Sequence, residues 1–556
     1  MSAAARLRRL DERARIIVLE RGPHVSFANC GLPYHLSGEI PEESALLLHT
    51  PQSLAATAAL DVRPRHEVTS LDPMAKTVRV RTPDQDFDLA YDALVLSPGA
   101  VAARPPIPGL DHPRVHTLRT IPDVRALRTL IDDGAGHAVV LGAGFIGLEA
   151  AESLRARGLT VSLIEPAPHI LPPLEPELAW ELTRELRALG IALHTAITPT
   201  TITDDDGRPV VHLSDGDAVV ADFVLLSAGA VPDTRVFEEA GVTCERGAIL
   251  TDPHGRTNLP DVYAVGDATL STDAVLGTRR PIPLAGPANR AGRLVADALH
   301  AAQTTPHPTP AFPRPIPPAL GTAIVRIGGL TAALTGANRA GLRAQGRDFE
   351  TIHVHPPHHA GYFPGATPIH LLLHMDPATG EILGAQGVGA NGVDKRIDVL
   401  ATAMRGGLRA PDLVDLDLAY APPYGSARDP ITMLGLVADN VMTGQTTLWQ
   451  AENLETVRRE ALLLDARSPA EFATGHLREA VNIPHTSIRA CLEDIRALAA
   501  GRHVAVMCRS GVRSYLAHRI LAAAGIASST LSGGMLTLRA CLGDHAHPAL
   551  ISQEPT

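Results

Sequence analysis

The sequence predicts an α/β protein built largely on parallel sheets, and three stretches carry that prediction. From His137, "HAVVLGAGFIGLEAAESLRARGLTVSLIEP" passes through strand, glycine-rich loop, helix and second strand. From His503, "HVAVMCRSGVRSYLAHRILAAAGI" passes from a strand through a tight loop into a helix. The opening "MSAAARLRRLDERARIIVLERG" passes from a helix into a strand closed by Glu20-Arg21-Gly22. Each sets a short apolar run beside a helical segment, the pattern of strands that helices cover on both faces.

At 556 residues the chain exceeds a single core, so three or four domains are expected. Lys and Arg total 49 against 60 Asp and Glu, a formal net charge of −11, which speaks against a general nucleic-acid binder. No apolar run reaches bilayer-spanning length, and no apolar signal core follows the N-terminal arginines. Cys30, Cys244, Cys491, Cys508 and Cys541 are far apart, which suits a reducing cytoplasm and one or two reactive thiols.

The loop from Gly142 carries the first chemistry. Gly142 permits the tight turn, Gly144 lets a pyrophosphate approach the backbone, and Gly147 allows helix and strand to pack closely. The second strand ends at Glu165, whose carboxylate would accept ribose hydroxyls and repel a 2′-phosphate, so NADH is expected over NADPH. "YDALVLSPGA" (with Ser97 and Gly99), "ADFVLLSAGAVPDT" (with Gly229) and "TNLPDVYAVGDA" (with Asp267) each run a strand into a small-residue turn. The proline-rich stretch 301–320 predicts an extended connector, and a second break is expected at 440–450. His353, His355, His358 and His359 cluster, but prolines interrupt any regular ligand spacing, and no metal site is expected.

Two cysteines stand in loops that suit reactive sulfur. "SFANCGLPYHLSG" places Cys30 just before a helix starting near Leu32, whose N-terminus would stabilise a thiolate. Cys508-Arg509-Ser510-Gly511-Val512-Arg513 opens a helix, so backbone N–H groups, two arginines and the helix dipole would surround the sulfur and depress its pKa. Four residues separate Cys508 from Arg513, a tighter ring than a phosphate-binding loop needs.

These ordered motifs, from residue 1 to about 440, resemble the two-dinucleotide flavoprotein disulfide reductases. "SFANCGLPY" resembles their single-cysteine branch, the CoA-disulfide reductases, because His35 stands where two-cysteine members carry the second thiol. The last domain resembles a single-domain rhodanese through Asp465, Arg467, Glu471, Gly475, His476 and Gly533-Gly534. The whole chain therefore resembles the CoA-disulfide reductase–rhodanese fusions.

The resemblance implies two Rossmann-like domains, FAD-binding at 1–110 and 233–312 and NAD(P)H-binding at 111–232, an α+β dimer-interface domain at 316–438 and an α/β rhodanese domain at 447–556. It assigns Glu20, Arg21, Ser97, Gly99, Glu149, Gly229 and Asp267 to the cofactors, and Arg6, Arg9, Ser26, Asn29 and Arg428 to CoA. It makes Cys30 and Cys508 the catalytic sulfurs, with Tyr362 and Tyr420 reaching the partner's Cys30 site in a homodimer. Phe363 stands where the family often has Tyr, and Arg428 where it often has Lys. The implied reaction is NADH-dependent reduction of CoA disulfide, CoA persulfide or polysulfide, with a sulfane-sulfur donor charging Cys508. An NADH oxidase acting through a Cys30 sulfenic acid, or a flavin-free sulfur-binding protein, are the alternatives. The family opens with a strand and glycine-rich loop that do not precede Ser2, so upstream in-frame codons are expected to encode them. Without them the first domain is expected to fold badly and to bind flavin poorly.

Overall fold

The computed structural model describes residues 1–303, 313–543 and 549–551. The chain packs as two compact units: Met1–Pro168 with Leu189–Gly321, and His169–Ala188 with the chain from Thr322 onward.

The first unit centres on a parallel five-stranded sheet in the order Ala192–Thr195, Thr160–Glu165, His137–Leu141, Phe223–Leu226, Val115–His116. The apolar runs His137–Leu141 and Phe223–Leu226 are almost wholly buried, as strands covered on both faces must be. Helix Phe145–Ala156 turns Leu148, Ala151 and Leu154 inward at three-residue spacing. The glycine loop thus leaves the carboxyl end of the central strand.

Helix Ser2–Leu10 and strand Ile17–Glu20 form as the opening sequence predicts. That strand pairs in parallel with Asp61–Pro64, while Leu94–Leu96 pairs in parallel with Val262–Ala264 in a separate ladder. Arg8 is buried beneath them, and its guanidinium donates to the carbonyls of Asp11, Glu12, Ala14, Ala58 and Ala59. Those five acceptors satisfy a charge that would otherwise be costly to bury. Helix Ala285–Gln303 takes in residues 301–303, so the first three residues of the predicted connector are helical. Residues 304–312 of that predicted connector lie outside the described residues.

The second unit holds two five-stranded sheets. One is antiparallel, in the order Ala323–Ile327, Leu330–Gly336, Ile382–Gly389, Ile369–Met375, Glu350–Val354. Helices Val393–Gly406 and Pro430–Met442 join its core through Ile397, Leu400, Ile431 and Leu434. Helix Pro176–Ala188 belongs to this unit, although its sequence lies inside 111–232. The other sheet is parallel, in the order Leu448–Trp449, Ser528–Leu531, His503–Met507, Ala461–Asp465, Val481–Asn482.

The stretch 440–450 is tied down along its length. Tyr515 Oη donates to Asn440 Oδ1 at 3.2 Å, Arg519 to the Gln445 carbonyl at 2.9 Å, and Gln450 Nε2 to the Thr351 carbonyl at 2.8 Å.

Arg396 is 1% exposed and pairs with Asp429, Nη2 to Oδ2, at 2.7 Å. The same guanidinium donates to the His358 carbonyl at 2.7 Å, and Asp429 caps helix Pro430–Met442 by accepting from Ile431 N–H at 3.0 Å. One buried pair therefore joins the loop before Tyr362 to the loop after Tyr420. Asp429→Ala would leave a buried, unpaired guanidinium, and it should destabilise this unit by about 3–5 kcal/mol in denaturant unfolding.

Candidate functional site

Cys30 lies in the 3₁₀ turn Asn29–Gly31, which runs into helix Leu32–Ser37. Its N–H donates to Asn29 Oδ1 at 3.0 Å, and its sulfur lies 3.7 Å from the same oxygen. The helix starts where the sequence predicts, but the electrostatics are the reverse of the expectation. The residue reaches solvent, yet partial desolvation pushes its thiol up, and the carboxylates of Glu149 and Asp267 push it further. A six-residue helix supplies too little dipole to offset two carboxylates.

Those two carboxylates come from different elements. Glu149 projects from helix Phe145–Ala156 and accepts from Tyr34 Oη at 3.1 Å. Asp267 stands in the turn Gly266–Ala268 after strand Val262–Ala264. Burial pushes its carboxyl up, with Arg119 opposing, and no hydrogen bond joins it to another described residue.

The remaining predicted residues of this unit divide into groups. Glu20 accepts from Gly22 N–H at 2.6 Å, and Arg21 pairs with Asp233 at 2.8 Å. Ser97 and Gly99 follow strand Leu94–Leu96, and the Gly99 carbonyl accepts from Asp233 N–H at 3.1 Å. Gly229 accepts from Ala103 N–H at 2.9 Å, beside the antiparallel pairing of Ala230–Pro232 with Ala100–Ala102. Ser26, at φ +53°, and exposed Asn29 share the Cys30 loop. Arg6 does not stand free beside them, because Asp297 holds its guanidinium at 2.6 Å, whereas Arg9 is exposed. A phosphate contact at Arg6 would have to displace an ion pair.

Gly142 adopts φ +103°, and a Cβ on Gly147 would overlap the Gly142 carbonyl. A Cβ on Gly144 would meet nothing within 4 Å, and the helix it caps has no side-chain cap, which leaves its N-terminal N–H groups without a capping side chain. Glu165 is buried, and its oxygens accept from Ala143 N–H at 2.7 Å and Ala167 N–H at 2.9 Å.

In the second unit, Tyr362 and Tyr420 meet oxygen to oxygen at 3.2 Å, and both remain largely exposed at 77% and 50%. The Tyr420 contact pushes the Tyr362 phenol up. Arg428 is exposed nearby in sequence, and its carbonyl accepts from Ser426 Oγ at 2.5 Å.

Cys508 follows strand His503–Met507 and is buried. Gly511 N–H donates to its sulfur at 3.2 Å, and its thiol lies 3.5 Å from Ser514 Oγ, which Thr530 Oγ1 meets at 2.6 Å. Helix Val512–Ala523 starts at Gly511, at φ +100°, with no side-chain cap. Arg513 is not directed solely at the sulfur. Glu471 holds both of its terminal nitrogens at 2.7 Å, which keeps the Arg513 pKa raised and brings the Glu471 carboxyl down to about 2. Arg509 and Val512 are exposed at the mouth, and Ser510 lies between. Asp465 and Arg467 form a buried pair at 2.6 Å beneath the loop.

The family model for pyridine nucleotide-disulphide oxidoreductases matches residues 1–295, and that for their dimerisation domain matches 322–430. The chain belongs to the pyridine nucleotide-disulphide oxidoreductases. This oxidoreductase carries a further domain, since the rhodanese-like family model matches residues 446–540. It is 32% identical over 441 residues to a coenzyme A disulfide reductase of Staphylococcus haemolyticus, covering 79% of this chain and 96% of the relative. Its fold resembles the crystal structure of reduced Bacillus anthracis CoADR-RHD at TM-score 0.92 and 36% identity, covering 97% of this chain and 96% of that one. It also resembles a NAD-dependent persulfide reductase from A. fulgidus at TM-score 0.87 and 34% identity, covering 97% and 98%.

The donors of the oxidoreductase fit the two cofactors its family implies. The uncapped helix start and open Gly144 suit the pyrophosphate of a nicotinamide dinucleotide, and Glu165 suits its ribose. For FAD, helix Ser2–Leu10 begins without a side-chain cap or an acidic residue in its first turn, and Asp267 offers an unengaged carboxyl.

Sequence reading missed the placement of Glu149 and Asp267 around Cys30, since 119 and 237 residues separate them from it. It also missed Asp297, Asp429 and Arg396. Glu149→Gln should lower the Cys30 pKa, because a carboxylate that disfavours the thiolate is removed. Alkylation of the Cys30 peptide followed against pH by mass spectrometry checks this.

Proposed function

We propose that this chain reduces CoA disulfide, CoA persulfide or polysulfide at Cys30 with electrons from NADH, and carries sulfane sulfur on Cys508. The observation that carries the reading is Cys30, whose loop holds no second cysteine, in a unit with two dinucleotide-binding elements, on the same chain as a strand-end cysteine whose sulfur accepts a backbone N–H. The similarity to a coenzyme A disulfide reductase and to a persulfide reductase supports the substrate class.

Glu20 and Asp267 would hold a flavin in this unit, which, reduced by the nicotinamide, would supply the electron pair that opens a disulfide at Cys30. Cys30 thiolate attacks one sulfur of CoA disulfide, forming a Cys30–CoA disulfide and expelling CoA thiolate. The paired phenols of Tyr362 and Tyr420 provide a proton for that leaving sulfur, reaching the Cys30 site of the partner in a homodimer. Ser26, Asn29, Arg9 and Arg428 contact CoA, and Arg6 joins them where phosphate displaces Asp297. In the second domain, Cys508 thiolate attacks the sulfane sulfur of a donor such as thiosulfate. Sulfite leaves with the bonding pair, and the resulting persulfide is handed to a thiol acceptor. The five free cysteines suit a cytoplasmic setting, and no helix among the described residues is long and apolar enough to cross a membrane.

Cys30→Ser should abolish NADH-dependent reduction of CoA disulfide and leave thiosulfate-to-cyanide sulfur transfer intact, and Cys508→Ser should do the reverse. Steady-state assays of both activities on each purified variant decide it. Loss of CoA disulfide turnover in Cys508→Ser would overturn the division of labour.

Glu165 should make kcat/KM for NADH at least about 10-fold higher than for NADPH, about 1.4 kcal/mol of discrimination. Glu165→Gln should narrow the ratio. A wild-type preference for NADPH would count directly against this role.

A further inference from the structure

The Cys508 loop is held from one side by the next strand-end turn. Gly533 and Gly534 adopt φ +68° and +64°, and a Cβ on Gly534 would stand 2.5 Å from the Cys508 carbonyl and 2.8 Å from the Arg509 carbonyl. From the same turn, Met535 N–H donates to the Cys508 carbonyl at 2.8 Å and Leu536 N–H to the Arg509 carbonyl at 3.0 Å. The backbone of the nucleophile therefore takes its position from the first turn of helix Gly534–Leu542.

That turn is fixed in its own right by residues outside the sulfurtransferase domain. Ser532 Oγ accepts from His353 N–H at 3.1 Å, stands 2.9 Å from His353 Nδ1, and donates to the Thr351 carbonyl at 3.1 Å. A Cβ on Gly533 would stand 2.7 Å from His353 Cβ and 2.8 Å from His355 Nε2, and His355 Nε2 lies 2.8 Å from Thr537 Oγ1. On the far side, His353 Nε2 is 2.7 Å from Glu177 Oε1. Burial raises the Glu177 pKa, but His353 and Arg339 outweigh it and hold the group ionised, so His353 Nε2 is the donor. His353, Ser532, Glu177 and Thr537 are all 6% exposed or less. A continuous buried path thus runs from helix Pro176–Ala188 through strand Glu350–Val354 to the two glycines and the nucleophile.

We propose that His353 is a positioning residue for Cys508: bound to Glu177 on one side and to Ser532 on the other, it sets the Ser532–Gly534 turn that carries the sulfurtransferase loop. The inference rests on the sulfurtransferase reading of Cys508. His353 touches neither donor nor sulfur. It acts through the backbone, so its loss should change the alignment of the thiolate with an incoming S–S bond rather than the capture of the donor.

The test uses the full chain, with thiosulfate and cyanide as probes. His353→Ala and Ser532→Ala should each lower kcat for sulfur transfer by about 10-fold or more, short of the ~10²-fold that a 1 Å misplacement costs, with KM for thiosulfate within about twofold. NADH-dependent CoA disulfide reduction, which uses Cys30, should stay within about twofold. His353→Asn sets a side-chain amide near the Nδ1 position and should recover most of the lost kcat. Three results would overturn the proposal: wild-type kcat in both alanine variants, equal loss of both activities, or an Asn variant as poor as the Ala variant. A wild-type protein without sulfur transfer would overturn the sulfurtransferase reading itself, and this inference with it.

Discussion

A guanidinium inside a protein must be matched by charge and hydrogen bonds, and at Arg339 the second unit meets that requirement with a network of four partners. Its Nε donates to Glu175 at 2.8 Å, its terminal nitrogen pairs with Glu177, and both carboxylates are buried. Each carboxylate also has a histidine partner, His374 at 3.2 Å for Glu175 and His353 at 2.7 Å for Glu177. The attraction among these groups keeps both acids ionised and raises the Arg339 pKa despite burial. Helix Pro176–Ala188 lies among residues 111–232 in sequence, but these partners bind it to the second unit. Removing one member would strand the others in a low dielectric, so the network is held together collectively.

The two sulfur sites solve opposite electrostatic problems. Cys508 sits at the end of a buried parallel strand, where a free N–H at the start of a helix points at the sulfur. Cys30 has carboxylates as neighbours, which favour the thiol over the thiolate. A sulfur that must receive and release a partner can tolerate a raised pKa only if electrons arrive with a proton or if a cation enters with the ligand. The open glycine loop around Gly144 and the unengaged Asp267 lie in the same unit as Cys30. Those carboxylates would favour protonation of any thiolate released at Cys30.

What could be read from sequence was what is local. The loops at Gly142 and Cys508 state their chemistry within a dozen residues, because glycine, helix start and strand end are consecutive, and the structure places helices at Phe145 and Val512 as that pattern requires. The helix Ser2–Leu10 is equally local. The sequence did not reveal pairings that only tertiary packing creates. Arg6 reads as one face of a helix with Arg9, yet its partner is 291 residues away. The histidines at 353–359 have no metal-like spacing. His353 and His355 are instead bound to Ser532 and Thr537, 179 and 182 residues distant. The break at 440–450 has a linker's composition, but its backbone and side chains are bonded to Arg519, Tyr515 and Thr351.

That last difference changes what the fusion of the two sulfur domains accomplishes. A flexible linker raises the effective concentration of one module near another but leaves orientation free. Here the interface domain and the sulfurtransferase domain share a buried polar seam, with Gln450 bonded to Glu350 and to the Thr351 carbonyl, and Ser532 bonded to the same carbonyl. Thr351, His353 and His355 lie at alternate positions, so they share one face of their sheet, and all three enter this seam or its flanking hydrogen bonds. The tyrosine pair and the Cys508 loop are thus carried by one packed body, joined through strand Glu350–Val354 and helix Pro430–Met442. Packing of that kind fixes the orientation of the Cys508 loop within this unit, which a tether alone could not do.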